Sequence, residues 1–190
     1  ELANIAEIDV VFDIACGTGD LAMAFSRAGV RSVKGIDFTQ AMLDIAIHKA
    51  SVANLPITYS QGDAMVLDVP DCSADVVSIA FGIRNIPDKD KALSEMKRII
   101  VPGGQVMILE LTTPEPGFWR SIYSFYLNGV LPKLAKWFTK NPAAYEYLAD
   151  SIMNFPTRRE FVSLMKLMGL KNCRAIPLTF GVCTLYIGNK

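Results

Sequence analysis

The chain has 190 residues, enough for one domain with a sizeable core. Apolar residues make up 51% and mean hydropathy is +0.29, which excludes a disordered chain. Nineteen basic and nineteen acidic residues cancel, so there is no general drive toward nucleic acid.

No apolar run reaches the roughly 18 residues of a spanning helix. The opening carries no leader-like pattern and, lacking Met just before a strand, reads as cut. Cys16, Cys72, Cys173 and Cys183 form no C-x-x-C pair and read as apolar side chains in a reducing compartment. With His48 as the single histidine, no metal site is expected.

The first element, Val10 to Ile14, is a β-branched apolar run read as a buried strand. Gly17 and Gly19 then make a tight turn, with Asp20 as a cap for the helix that starts at Leu21 and stops near Gly29. The spacing Gly17-x-Gly19-x-x-Ala22 fits the loose dinucleotide pattern. Asp13, four residues before Gly17, tilts the reading away from a dinucleotide. A carboxylate there repels a pyrophosphate but attracts the sulfonium and ammonium of S-adenosylmethionine (SAM). The cofactor's own carboxylate suits the free N–H groups at the helix start.

A second strand ends in Asp37, about 20 residues after the turn, the spacing of an acid on ribose hydroxyls. Thr39 reads as the N-cap of a helix to about Ala53, with Met42, Leu43, Ala46, Ile47 and Ala50 at helical spacing. Met42 is either core or an adenine contact. A third strand, Ile57 to Gln61, turns at Gly62 into Asp63 and Ala64. Three acids at parallel strand ends would share the edge where open α/β sheets bind ligands. Asp63 there suits the adenine amino group, or else caps its own turn.

Residues 74–80 read as a central strand running into a loop that holds Arg84 beside Asn85. A helix opens at Asp88 and runs to Ile100, with Leu93, Met96, Ile99 and Ile100 inward. Pro102-Gly103-Gly104 stops it before a strand from Gln105 to Glu110. The alternation breaks over 113–156, where both tryptophans fall between residues 118 and 138. Gly129 and Pro132 prevent one long helix there, so short amphipathic helices are expected, forming either a lid over an apolar, aromatic substrate or a purely structural cap on the sheet. Thr157 and Glu160 make a capping-box pattern for a helix to Met168, ended by Gly169. Two last strands, 171–176 and 182–187, read as an antiparallel hairpin. The fold expected is α/β, a mostly parallel sheet with helices on both faces, in one domain over 1–190.

With these elements in place, the chain resembles the SAM-dependent C-methyltransferases of ubiquinone and menaquinone biosynthesis. The carrying residues are Asp13 to Asp20, the Phe81-Gly82-Ile83-Arg84-Asn85 loop with Asp88-Lys89-Asp90-Lys91-Ala92-Leu93 after it, Pro102-Gly103-Gly104, the 145–151 segment and 178–182. The glycine turn is common to many class I methyltransferases, whereas the Phe-Gly-x-Arg-Asn loop is more specific. The resemblance implies a Rossmann-like class I sheet. Cofactor residues would be Asp13, Gly17, Thr18, Gly19, Asp37, Phe38, Met42, Asp63, Ala64 and Ala80. Ala80 stands where relatives often carry serine, and Cys16 where glycine is common. Relatives carry a helical segment ahead of the first strand. This chain lacks it, so its active site is expected to be less fully covered.

The implied reaction moves the SAM methyl to a ring carbon of a prenylated quinol. Arg84 would stabilise the phenolate and Asn85 would orient the hydroxyl, with a loop ion pair or a helix-capping contact as the alternative. The implied partners are the quinol, a membrane surface and a second copy of the chain, with no nucleic acid. The implied location is cytoplasmic, at or near a membrane. Three rivals remain: a methyltransferase of another small apolar aromatic, an NAD(P)-dependent Rossmann dehydrogenase, and a non-enzymatic SAM-binding subunit that needs a partner.

Overall fold

A computed structural model describes residues 8–114 and 142–190, together with 117, 121, 123, 125 and 129. Both tryptophans and half of the expected lid lie outside the described residues.

Seven strands form one sheet in the order β3-β2-β1-β4-β5-β7-β6. β1 (Val10–Ile14), β2 (Ser32–Asp37), β3 (Ile57–Gln61), β4 (Ala74–Ala80) and β5 (Ile100–Leu111) are parallel. β6 (Lys171–Leu178) and β7 (Cys183–Asn189) pair antiparallel, as the sequence suggests. It is β7, the last strand, that joins β5, so β6 becomes the edge. A hairpin pattern cannot say which of its two strands meets the sheet.

The central strands β1 and β4 are buried on both faces, so they read as apolar runs, whereas the outer β3 and β6 bury no residue fully. Neighbouring residues still point to opposite sides. Val11 and Val76 pack with Ala22 of α1 (Asp20–Arg27) and with Val33. Phe12 and Val77 pack on the other face with Leu93 and Met96 of α3 (Lys89–Ile99).

Several local expectations are corrected. Asp20 is the first residue of α1 rather than its cap, because Gly19 takes the cap position at φ 80. Thr39 sits at the N-cap of α2 (Gln40–Val52) but makes no side-chain cap there. Its own N–H donates instead to Asp37 Oδ1, 2.8 Å away. α2 buries only Leu43, Ala46 and Ala50, and leaves Met42 and Ile47 exposed. Ile100 belongs to β5 and not to the helix before it. The Pro-Gly-Gly turn is absorbed as a bulge in β5, between the pairs Ala74–Ile100 and Val76–Gln105.

α4 spans Pro142–Met153 and α5 spans Arg158–Leu167. The capping box on α5 is present: Thr157 Oγ1 accepts from the Glu160 N–H, and Glu160 Oε2 accepts from the Thr157 N–H at 2.8 Å. This cap sets the helix that seats Phe161 against Phe155 and Tyr186, with ring centroids 5.0 and 4.7 Å away. Thr157→Ala is expected to cost about 1 kcal/mol. The check is a lower urea midpoint at unchanged slope; an unmoved midpoint would remove the cap from the stability account.

Candidate functional site

A cavity of about 730 Å³ opens at the carboxyl ends of β1 to β4. Its walls are the turn after β1 (Ala15, Cys16, Gly17), the tip of β2 with the start of α2 (Asp37, Phe38, Thr39, Met42), the turn after β3 (Gly62, Asp63, Ala64, Met65) and the exit of β4 (Ala80, Phe81, Gly82, Asn85, Ile86, Pro87). Parallel strands bring these loops to one edge, which is where such sheets hold ligands.

Eight of the residues expected from sequence line this cavity: Gly17, Asp37, Phe38, Met42, Asp63, Ala64, Ala80 and Asn85. Asp37 ties two of these walls together. Its Oδ2 accepts the Gly17 N–H at 2.7 Å and its Oδ1 accepts the Thr39 N–H at 2.8 Å. A carboxylate has about four lone-pair sites, so two remain for a ligand. Asp63 Oδ1 accepts the Met65 N–H at 2.8 Å and so caps its own turn after β3. Gly17 is at φ +54, and a Cβ added there would meet open space. The backbone at this point is bare toward a ligand.

Asp13, Thr18, Gly19 and Arg84 do not line the cavity among the described residues. Gly19 is needed for packing, since a Cβ there would run into the Tyr59 hydroxyl and Ala46. Thr18 Oγ1 donates to Asp20 at 3.0 Å, and Lys49 closes on the same Asp20 carboxylate at 2.6 Å. Asp13 lies beneath the glycine turn, 1% exposed, and accepts from Ser78 Oγ at 2.8 Å. The Ala22 backbone, in the first turn of α1, also favours its charged form. Burial pushes its carboxyl up to about 7, against the pull of Ser78 and Ala22 and with a small push from Asp37. Cys16 is likewise pushed up by burial, to about 12, so its thiol is inert at neutral pH.

Arg84 is held in an ion pair. Its Nη1 lies 2.6 Å from Glu110 Oε1 and also donates to the Phe81 carbonyl at 2.7 Å. Glu110 is fully buried and accepts the Arg84 and Leu111 N–H groups as well. The pair braces the loop at Phe81, a non-glycine residue at φ 56 that forms part of the cavity rim. Of the two readings of Arg84, the geometry is that of the loop ion pair. Asn85 does reach the cavity, and its Oδ1 accepts from the Tyr147 hydroxyl of α4 at 3.0 Å.

Three residues of this region escape a sequence reading. Ser78 sits in an apolar strand with no local signal of its partner. Glu110 does carry one: Val106, Ile108 and Glu110 share a strand face, so an acid falls where apolar residues belong. Tyr147 is 62 positions from Asn85, and nothing local links them.

The charge of the cavity decides what it suits. Its charged lining side chains among the described residues are Asp37 and Asp63, with no Lys, Arg or His. Such a wall repels a pyrophosphate, which counts against a dinucleotide, and favours a cationic, hydroxyl-bearing ligand. Phe38, Met42 and Phe81 add apolar surface, in the manner of small-molecule sites.

Comparison with known proteins agrees with this picture. Among solved structures, a SAM dependent methyltransferase from Aquifex aeolicus superposes with TM-score 0.69 at 17% identity, over 95% of this chain and 81% of its own. A Haemonchus contortus phosphoethanolamine N-methyltransferase 2, in complex with S-adenosyl-L-methionine, gives 0.71 at 15%, over 96% and 48%. At such identity the likeness shows the fold, a class I methyltransferase sheet. Curated relatives are nearer. A demethylmenaquinone methyltransferase of Deinococcus radiodurans is 38% identical over 181 residues, 95% of this chain and 75% of the relative. A ubiquinone/menaquinone biosynthesis C-methyltransferase of Bdellovibrio bacteriovorus is 43% identical over 182 residues, 95% and 77%. The model of the ubiE/COQ5 methyltransferase family matches residues 2–190. With that match along nearly its whole length, the chain belongs to the ubiE/COQ5 methyltransferase family.

Proposed function

We propose that this enzyme methylates a ring carbon of a prenylated quinol, using SAM held in the cavity at the ends of β1 to β4. The observation that carries the reading is the cavity wall itself: two carboxylates, no cationic side chain and a bare glycine turn, in a chain of this family. The residues present fit SAM, which has two cationic groups, a ribose and an adenine. The curated relatives' names supply the quinone pathway.

When bound, SAM supplies a methyl group on a sulfonium, an electrophile that needs no further activation. The work left to the chain is holding and alignment. In this reading the free lone pairs of Asp37 take the ribose hydroxyls, and Asp63 takes the adenine amino group. Phe38 and Met42 form apolar walls beside Ala64 and Ala80. Gly17 offers backbone at close range, while Thr18 and Gly19 shape the turn from outside the cavity. Asp13 adds negative charge beneath it. Asn85 faces the acceptor, and Arg84 acts at one remove by bracing Phe81.

The same reading treats 1–190 as one domain, with 113–156 as the cover of the acceptor site. A prenyl tail partitions into lipid, so the acceptor is taken at a membrane surface. Among the described residues no helix is long and apolar enough to cross a membrane.

Asp37→Asn is expected to weaken SAM binding about tenfold to a hundredfold, from the loss of charge-assisted bonds worth about 1.5–3 kcal/mol. Calorimetric titration checks it, and unchanged affinity would take Asp37 out of the cofactor site. The function is tested by following S-adenosylhomocysteine release with demethylated prenyl naphthoquinols and benzoquinols. Saturable, quinol-dependent release is expected. Release with neither quinol, but with another small aromatic, would overturn the substrate assignment.

A further inference from the structure

The described cavity wall offers no cationic group to a quinol oxygen, since Arg84 is tied to Glu110 and the Phe81 carbonyl. Asn85 is the polar side chain at the acceptor end, and its amide has two unlike faces: an oxygen that accepts and an NH2 that donates. Which face meets the acceptor decides whether the site favours a neutral or an ionised ring hydroxyl. Tyr147 decides it. Its hydroxyl donates to Asn85 Oδ1 at 3.0 Å, which turns Nδ2 away from Tyr147. Among the described residues nothing accepts the Nδ2 hydrogens.

Both partners are held. Asn85 ends a 3-10 turn, Ile83–Asn85, in which its N–H donates to the Gly82 carbonyl at 3.0 Å. Tyr147 rides on α4, which buries Ala149 and Ile152 against Leu111, one residue beyond Glu110. The phenol ring itself is largely exposed, so its hydroxyl serves this contact rather than a core bond.

We propose that Tyr147 is a positioning residue for the methyl transfer, orienting the Asn85 amide so that its NH2 donates to the ring oxygen of the quinol. This rests on the quinol reading above. A donor aimed at that oxygen favours its ionised form and lowers its pKa in the site. The hydroxyl proton leaves to solvent. The ring carbon then forms its bond to the methyl as the carbon–sulfur bond breaks. The ring hydrogen leaves as a proton to restore aromaticity, and the oxygen is reprotonated. Without the Tyr147 hydroxyl the amide is free to turn its oxygen toward the ring oxygen, which disfavours the ionised form.

The test uses nitronaphthol as a chromophoric stand-in for the ring hydroxyl, bound with S-adenosylhomocysteine so that no turnover occurs. Its absorbance is titrated with pH in wild type, Tyr147→Phe, Asn85→Ala and the double variant. Tyr147→Phe is expected to raise the bound pKa by about one unit, a tenfold loss of ionised probe well below that pKa. Asn85→Ala should do the same, and the double variant no more, because the two act as one unit. In turnover, kcat of Tyr147→Phe should fall about tenfold at neutral pH and recover as pH rises, with KM for SAM unchanged. A Tyr147→Phe protein with unchanged probe pKa, from a wild type that methylates quinols, overturns this role and leaves the quinol reading standing. A wild type that methylates no quinol overturns both.

Discussion

Glu110→Gln should lower stability by about 3–5 kcal/mol, the cost of leaving a buried charge without its partner. Arg84 has a side chain only 12% exposed and Glu110 has one at 0%, so water cannot replace the lost carboxylate. For a domain of this size the effect is a fall in Tm of about 6–20 °C, at about 2–4 °C per kcal/mol. It is a large share of a stability that runs at about 5–15 kcal/mol. The loss should concentrate at the cavity rim, because the same pair holds the Phe81 carbonyl. Adding Arg84→Met to Glu110→Gln removes the stranded charge and should return most of the lost Tm. Thermal unfolding of both variants checks this. A Glu110→Gln protein as stable as wild type, or a double variant no better than the single, would show that the pair is not what braces the loop.

Asp13→Asn should act in the opposite direction and with pH. The Asp13 carboxyl is raised to about 7 in the fold by burial. The unfolded chain has it near about 3.9. Between those values the folded protein holds a proton that the unfolded chain has released. Stability at this site is therefore full below about pH 4 and falls as pH rises to about 7. Three units correspond to about 4 kcal/mol at most. Asparagine cannot ionise, and the Ser78 hydroxyl is able to accept from its amide as readily as it donates to the acid. The variant is thus expected to match wild type at pH 4 and to exceed it in urea unfolding at pH 8. It should also bind SAM more weakly at pH 8, having lost a negative charge beneath the glycine turn. A variant no more stable than wild type at pH 8 would mean that Asp13 carries no such penalty.

Much of the fold is legible before any coordinates, because it is written in local chemistry. The β1 run with its glycines, the Asp88 cap of α3 and the Thr157–Glu160 box each depend on residues within a few positions. The lining of the cavity is legible for the same reason: parallel strands put Gly17, Asp37 and Asp63 on one edge whatever the packing around them. Contacts between distant segments are not legible. Nothing near Arg84 foreshadows Glu110, which lies 26 positions on and pairs with it. Met42 shows how a helical pattern misleads, since Leu43, Ala46 and Ala50 alone fill the narrow face of α2 and leave Met42 to the cavity. The place of β7 between β5 and β6 is a matter of sheet assembly that no local pattern encodes.

The measurement that bears most directly on the central claim is the fate of a labelled methyl. Wild-type enzyme is incubated with SAM carrying a 13C methyl and a demethylated prenyl quinol, and the product is read by carbon NMR. The label is expected on a ring carbon, with a shift typical of an aryl methyl group. A label on oxygen, or a quinol returned unlabelled while SAM is bound, would contradict it.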